Sequence, residues 1–413
     1  MERTVIGLIG RKLGHSDSAI IHDKFGIRDY GMFEMEPDEI GSFLNRGDLK
    51  GLNVTIPYKR DVIPFLDEMS DEARAVGSVN TIVFRNGKKI GHNTDVFGVI
   101  YMAKRTGIDF AGKKVVIFGS GGASAAVIYA SRKMGAREIV IVSRTGENNY
   151  ENLHLHEDAE ILVNATPVGM YPNPEGAIVD PARFKKAIGC MDLVYNPKCT
   201  DFLRLAKKAG IPCVNGLSML VAQAKAAEEW FLEKEIDDCE IERVLGEVAR
   251  ARTSIALIGM PGAGKSAVGY ALCERSGLPM YDVDAEIEKE AGMSIPEIME
   301  KEGVPAFRDR EAGVIRRLSL LRGAIIITGG GAVLREDNRV NLRRNCRVYQ
   351  IVRDISLLPT EGRPLSKGAD LSKMATERAP FYEMARDVII SNDTSIENAA
   401  NAVWRDFCEN TRD

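Results

Sequence analysis

The sequence predicts an α/β chain of three domains, and three observations predict it. Two glycine loops, GSGGASAA at Gly119 to Ala126 and GMPGAGKS at Gly259 to Ser266, each follow a short apolar run and open a helical segment. Strand-like and helix-like runs alternate along most of the chain, the pattern of α/β domains. A length of 413 residues with 45% hydrophobic and 28% charged content exceeds what one ordinary core organises.

Taken in order, Thr4 to Gly10 reads as a strand, followed by Met32 to Met35, a polar helix from Pro37, and Gly51 to Ile56. Thr81 to Phe84 and Lys88 to Gly91 flank Asn86-Gly87, a two-residue hairpin signal, and are expected at a sheet edge. Lys114 to Phe118, the helix Ala123 to Met134 and the strand Glu138 to Val142 form a β-α-β unit. Ile161 to Asn164 and Cys190 to Val194 extend it as further strands, with a helix over Phe202 to Lys208. Ser218 to Phe231 and Glu233 to Arg252 read as helices that return to the opening domain. A new strand-loop-helix unit begins at Ser254, and the last helix runs over Ser395 to Phe407. The expected domains are therefore 1–95 with 218–250, 96–217, and 251–413, with hinges near residues 95 and 217. Oligomeric state is open at this level.

Composition narrows the function classes. A net charge of -4 offers no broad basic field for nucleic acid. No run of about 18 apolar residues and no secretory leader pattern is present, so no membrane partner is expected and the cytoplasm is the expected compartment. Seven scattered cysteines without a C-x-x-C pair read as reduced thiols.

At the first loop, Gly119, Ser120, Gly121, Gly122 and Ala123 let backbone N–H groups approach a pyrophosphate at a helix N-terminus, a Rossmann-like arrangement. The following strand ends in Ser143, Arg144, Thr145, and an arginine there suits a 2′-phosphate where a carboxylate would repel it, which favours NADP(H). Upstream, Ser16 and Ser18, then Asn53 and Thr55, sit two apart, so in extended chain each pair would face one way. Lys59 and Asp95 form a charged pair able to protonate the oxygen of a carbonyl that receives hydride.

In these motifs residues 5 to about 245 resemble shikimate dehydrogenase: HSDS at His15 to Ser18, NVTIPYK at Asn53 to Lys59, GSVNTI at Gly77 to Ile82, GHNTD at Gly91 to Asp95, GSGGA, SRT, NATPVGM at Asn164 to Met170, and GLSML with Gln223. The resemblance implies that Ser16, Ser18, Thr55, Lys59, Asn80, Asp95, Tyr195 and Gln223 contact shikimate, and that Lys59 and Asp95 are the catalytic pair. It implies reversible NADPH-dependent reduction of 3-dehydroshikimate. The family's usual proline is Ala19 here, and GENNYENLHLHE between Thr145 and Asp158 is too short for the usual helix and strand, which reduces the expected clamp on the 2′-phosphate.

The second loop is a P-loop, with Gly259, Gly262, Ala263 and Gly264 cradling phosphates, Lys265 reaching the outer ones, and Ser266, followed by Ala267, placed for Mg²⁺. Asp282 and Asp284 follow at alternate positions, one for hydrated Mg²⁺ and the other for an acceptor hydroxyl. Residues 254 to 408 resemble shikimate kinase through this loop, DVD at Asp282 to Asp284, FRDRE with Arg308 and Glu311, TGGG at Thr328 to Gly331, RPL at Arg363 to Leu365, and RAPFY at Arg378 to Tyr382. The resemblance implies that Asp284, Arg308 and Arg378 hold shikimate, Gly330 and Gly331 line its pocket, Asp282 serves the metal, Arg363 is the lid arginine, and ATP phosphorylates the 3-hydroxyl. The short stretch between Val352 and Arg363 predicts weakened ATP binding. The product of the first reaction is the substrate of the second, and free release between them is expected. The competing reading is a quinate/shikimate dehydrogenase joined to a weakly active or non-catalytic kinase-like module.

Overall fold

The computed structural model describes residues 4–14, 16–354 and 371–411. The chain divides into two compact units, Met1–Asn196 with Thr200–Val248, and Ala249–Arg412 with Pro197–Cys199.

The first unit holds two sheets. One runs in the order Tyr30–Glu34, Val5–Gly10, Leu49–Val54, Thr81–Arg85, Lys88–His92, Glu68–Met69. Its first three strands are parallel, and Leu49–Val54 meets Thr81–Arg85 in antiparallel register, Asn53 opposite Thr81. Asn86 and Gly87 both take positive φ, 51° and 74°, as a two-residue hairpin turn requires. The hairpin is not the sheet edge, however. The two-residue strand Glu68–Met69 pairs outside it, too short to leave a periodicity in the sequence.

The second sheet is wholly parallel, in the order Cys213–Val214, Gly189–Asp192, Ile161–Asn164, Lys114–Phe118, Glu138–Val142. The strand Lys114–Phe118 is buried along its length, and Val115 and Ile117 face a core shared with Val96, Val99 and Met102 of the helix Asp95–Arg105 and with Ala126, Val127 and Ala130 of the helix Gly122–Lys133. Both faces being covered explains why these strands read as continuous apolar runs without alternation. The helix Leu217–Leu232 packs on Asp95–Arg105 and on the first sheet, where Gly51 leaves room for the Phe231 ring. The last helix of the region begins at Cys239, later than Glu233. Glu233 closes the preceding helix in a left-handed conformation, and Asp237 and Asp238 lie in the turn between. Between Thr145 and Asp158 the chain forms only a 3-10 turn, Leu153–His156, and a single bridge from Asn148 to Val142.

In the second unit five parallel strands run in the order Met280–Asp282, Ile325–Ile327, Ser254–Ile258, Cys346–Val352, Val388–Ser391. Apolar cores lie on both faces, Ile255 and Leu257 looking to one and Ala256 and Ile258 to the other. The closing helix is Ile396–Asn410, capped by the Ser395 hydroxyl on the Asn398 N–H. No helix among the described residues is long and apolar enough to cross a membrane.

Candidate active sites

In the first unit a cavity of about 200 Å³ is lined by residues from well-separated stretches of the chain, including Ser16, Ser18, Thr55, Lys59, Asn80, Asp95, Tyr195 and Gln223. The two serines are not in extended chain. Ser16 lies in a turn whose N–H donates to Leu13 O, Ser18 starts the helix Ser18–Phe25, and their hydroxyls meet at 3.0 Å. His15 falls outside the described residues. Asn53 lines the cavity with Thr55 and is also tied to the scaffold: its buried amide accepts from the Tyr30 hydroxyl at 2.7 Å and donates to Asn80 O and Thr81 Oγ1. Burial of so many polar atoms is tolerated because almost every one has a partner.

Lys59 Nζ lies 2.6 Å from Asp95 Oδ2, and Asp95 Oδ1 accepts from Asn80 Nδ2 at 2.9 Å. Asn80 is fixed in turn by accepting from the Thr94 N–H at 2.7 Å. Both carboxylate oxygens are thus occupied, and the pair keeps one geometry at the cavity wall. Leu193, Gly216, Met219 and Leu220 complete the wall. Gly216, Met219 and Leu220 belong to the GLSML motif, whereas Leu193 lies in none of the quoted motifs.

The cavity also includes Ala123, at the start of the helix behind the first glycine loop. Gly119 has φ 108°, and a Cβ there would lie 3.0 Å from Ala165 O. Gly121 caps the helix Gly122–Lys133 without a side-chain bond, and a Cβ on Gly121 or Gly122 would meet nothing within 4 Å. Open space in front of uncapped N–H groups fits a dinucleotide pyrophosphate. Arg144 is exposed at the end of Glu138–Val142, as a 2′-phosphate partner must be.

In the second unit a cavity of about 450 Å³ takes in Gly262, Lys265, Ser266, Asp282, Asp284, Arg308, Gly330, Gly331 and Arg378. Gly259, Gly262 and Gly264 adopt positive φ, and Lys265 Nζ donates to Gly259 O at 3.0 Å and Met260 O at 3.1 Å, spanning the mouth of the loop. The helix Lys265–Ser276 starts behind it with no side-chain cap, which fits a nucleotide's phosphates. Ala263 is buried and its carbonyl accepts from Asn392 Nδ2 at 2.8 Å, while Ala267 lies in the first turn of that helix. Ser266 Oγ and Asp282 Oδ2 are 3.4 Å apart. A hydroxyl and a carboxylate side by side are oxygen donors that fit Mg²⁺ keeping waters and phosphate oxygens as its other ligands.

Asp282 and Asp284 do not follow each other in a strand. Asp282 ends Met280–Asp282 and caps the helix Val283–Ala291 by accepting from the Asp284 N–H at 3.0 Å, so Asp284 emerges from a helical first turn. Its Oδ1 is sealed without a hydrogen-bond partner, as is Oε1 of Glu311. Burial, reinforced by Asp282 and Glu311, pushes the Asp284 carboxyl up to about 6. Arg308 donates to Glu311 at 2.7 Å, and a Cβ on Gly331 would collide with the Arg308 guanidinium. Arg378 and the Tyr382 hydroxyl both donate to Gly330 O, at 2.9 and 2.7 Å. Tyr382 and Glu311 appear in the motifs but not among the expected site residues; their roles depend on contacts across the fold. Arg363 and the shortened stretch up to it fall largely outside the described residues.

A family model described as the shikimate dehydrogenase substrate binding domain matches residues 8–82, and one described as shikimate kinase matches 261–407. A shikimate dehydrogenase (NADP(+)) of Clostridium perfringens is 37% identical over 267 residues, covering 59% of this chain and 98% of its own. The chain belongs to the shikimate dehydrogenase family. It also carries a shikimate kinase domain. A solved chorismate mutase/shikimate 5-dehydrogenase fusion protein from Clostridium acetobutylicum superposes with a TM-score of 0.57 at 35% identity, over 59% of this chain and 96% of that one. A shikimate dehydrogenase solved in complex with NADP+ gives 0.54 at 32% identity, over 58% and 94%. The shikimate dehydrogenase likeness thus accounts for the first unit and the kinase family for the second.

Proposed function

We propose that this chain is a bifunctional enzyme that reduces 3-dehydroshikimate to shikimate with NADPH and then phosphorylates the 3-hydroxyl of shikimate with ATP and Mg²⁺. The observation that carries the reading is the gathering of Lys59, Asp95 and six further expected ligand residues around one cavity beside the first glycine loop. Residues 1–95 with 218–250 bind the acid, 96–217 the dinucleotide, and 251–413 form the kinase.

The bound cofactors would supply hydride in one site, and the phosphoryl group with its neutralising metal in the other. Ser16 and Ser18 hydroxyls hold the substrate carboxylate, and Thr55, Asn80, Tyr195 and Gln223 orient the ring. Lys59 Nζ delivers a proton to the carbonyl oxygen as charge develops there, held in line by Asp95. In the reverse direction Lys59 takes that proton back. In the kinase domain Arg308 and Arg378 grip the carboxylate, Gly330 and Gly331 bring backbone close to the ring, and Asp284 accepts the proton of the attacking hydroxyl. Lys265 stabilises charge on the transferred group, Ser266 and Asp282 support Mg²⁺, and Arg363 completes the phosphate contacts.

The test is a pair of assays on the purified chain, shikimate with NADP+ or NAD+, and shikimate with ATP and Mg²⁺. Turnover in both, with NADP+ preferred, is expected; absence of either refutes the bifunctional reading. Shikimate is expected to leave one site before entering the other, so excess external labelled shikimate should dilute the coupled product. The cytoplasm is the compartment this activity expects.

A further inference from the structure

We propose that Asp192 is a positioning residue for the dehydrogenase, its carboxylate clamping the cofactor-side turn after Asn164 and the substrate-side turn carrying Tyr195 into one arrangement. The inference rests on the reductase reading above and adds a residue to it.

Asp192 and Asn164 are register partners at the ends of neighbouring parallel strands, and Asn164 is likewise paired with Phe118, the residue before the first glycine loop. Asn164 Nδ2 donates to Asp192 Oδ1 at 2.9 Å. The other side of that amide accepts from both the N–H and the hydroxyl of Thr166, at 3.0 and 2.6 Å, and the Thr166 hydroxyl accepts from the Val168 N–H. The turn at Thr166 to Val168 is therefore wound around one amide, whose Nδ2 faces two acceptors, Asp192 Oδ1 at 2.9 Å and, more weakly, Val168 O at 3.3 Å, so that Asp192 supplies the closer of the two contacts that orient it. This turn abuts the glycine loop, where the Gly119 position closes on Ala165 O.

On the other side, Asp192 Oδ1 accepts from the Val194 N–H at 3.0 Å, and Oδ2 accepts from the Thr200 hydroxyl at 2.6 Å. Thr200 also caps the helix Asp201–Lys208, so the two ends of the Tyr195 turn are tied to one carboxylate. Asp192 is fully buried. Three donors converge on it, an arrangement that favours the charged form, whereas burial opposes charge and pushes its carboxyl up to about 7.

The titratable neighbours do not compete for this role. Cys190, two residues back on the same strand, is pushed up to about 12 by burial and by Cys213 on the adjoining strand, so it stays neutral. Asp201 of the following helix is engaged with the Gly176 N–H and with Arg204. Strand Ile161–Asn164 presents no titratable side chain.

Asp192→Asn is close to isosteric and can still accept from Asn164 and Val194, but it holds no charge and resembles the protonated acid. In full-length protein, kcat for shikimate oxidation should fall roughly 10-fold, because loosened turns misplace donor and acceptor. NADPH binding, read by its fluorescence without shikimate, should weaken. Phosphorylation of shikimate by the same preparation should be unchanged. The native kcat should rise with pH through a limb near 7 that Asp192→Asn lacks. Thr200→Val removes one donor to the charged form and should move that limb to higher pH, while Thr200→Ser restores it; this pair carries the test if Asp192→Asn does not fold. An unchanged limb in Asp192→Asn, or in Thr200→Val, overturns the proposal. A native chain that does not oxidise shikimate at all refutes the reductase reading instead.

Discussion

Lys59 and Asp95 touch through a 2.6 Å ion pair at the wall of the smaller cavity, and the reductase reading concentrates on that contact. Lys59→Ala should lower kcat/KM for shikimate oxidation by roughly 10²- to 10⁴-fold, the worth of a positioned proton donor, and leave phosphorylation intact. Parallel assays on one preparation check both statements. Asp284 offers a second test with opposite signs for activity and stability. Its folded carboxyl sits near 6, above the ordinary 3.8, so the unfolded chain releases this proton first. Stability of the kinase domain therefore falls as pH rises from about 4 to 6, and stays reduced above it. Asp284→Asn should abolish most phosphoryl transfer yet stabilise the domain at pH 7.5 by on the order of 2 kcal/mol. Thermal unfolding of the variant at pH 7.5 and at pH 4.5 measures this, and a gain as large at pH 4.5 would contradict the linkage.

At the scale of elements, the glycine loops are the features on which most is staked. Gly119→Val must strain a backbone at φ 108° and push a side chain against Ala165, so NADPH affinity should drop at least about 10-fold, by fluorescence titration, with the kinase KM for ATP unmoved. Loops, strands and hairpin were legible because their signals are local. Glu138–Val142 and Ile161–Asn164 have the predicted bounds, and Asn86-Gly87 marks its turn. Signals that depend on the whole fold were not legible. Glu68–Met69 is two residues long, and nothing local shows that it covers the hairpin. Alternate spacing misread Ser16 with Ser18 and Asp282 with Asp284, because in both pairs a helix begins between or just after them and period two no longer applies. The buried contact of His22 with Glu228 at 3.0 Å joins residues 206 apart in sequence, and the Tyr382 hydroxyl reaches Gly330 O in the glycine turn from the helix Leu371–Ala385. Charge and aromatic character were visible at those positions, but their partners were not.

For the whole molecule the claim is that two chemistries on one acid reside in two compact units of one chain. Lys265→Ala should cut phosphorylation by at least about 100-fold while sparing reduction, the mirror image of Lys59→Ala, because each lysine is confined to its own cavity. A scaffold or sensing role for either half would leave one of these variants without effect. The most direct measurement supplies purified chain with 3-dehydroshikimate, NADPH, ATP and Mg²⁺ and follows NADPH loss and ADP release together. The account predicts that both proceed, that ADP release requires NADPH, and that shikimate 3-phosphate accumulates. NADPH loss without ADP release, or ADP release without prior reduction, would contradict it.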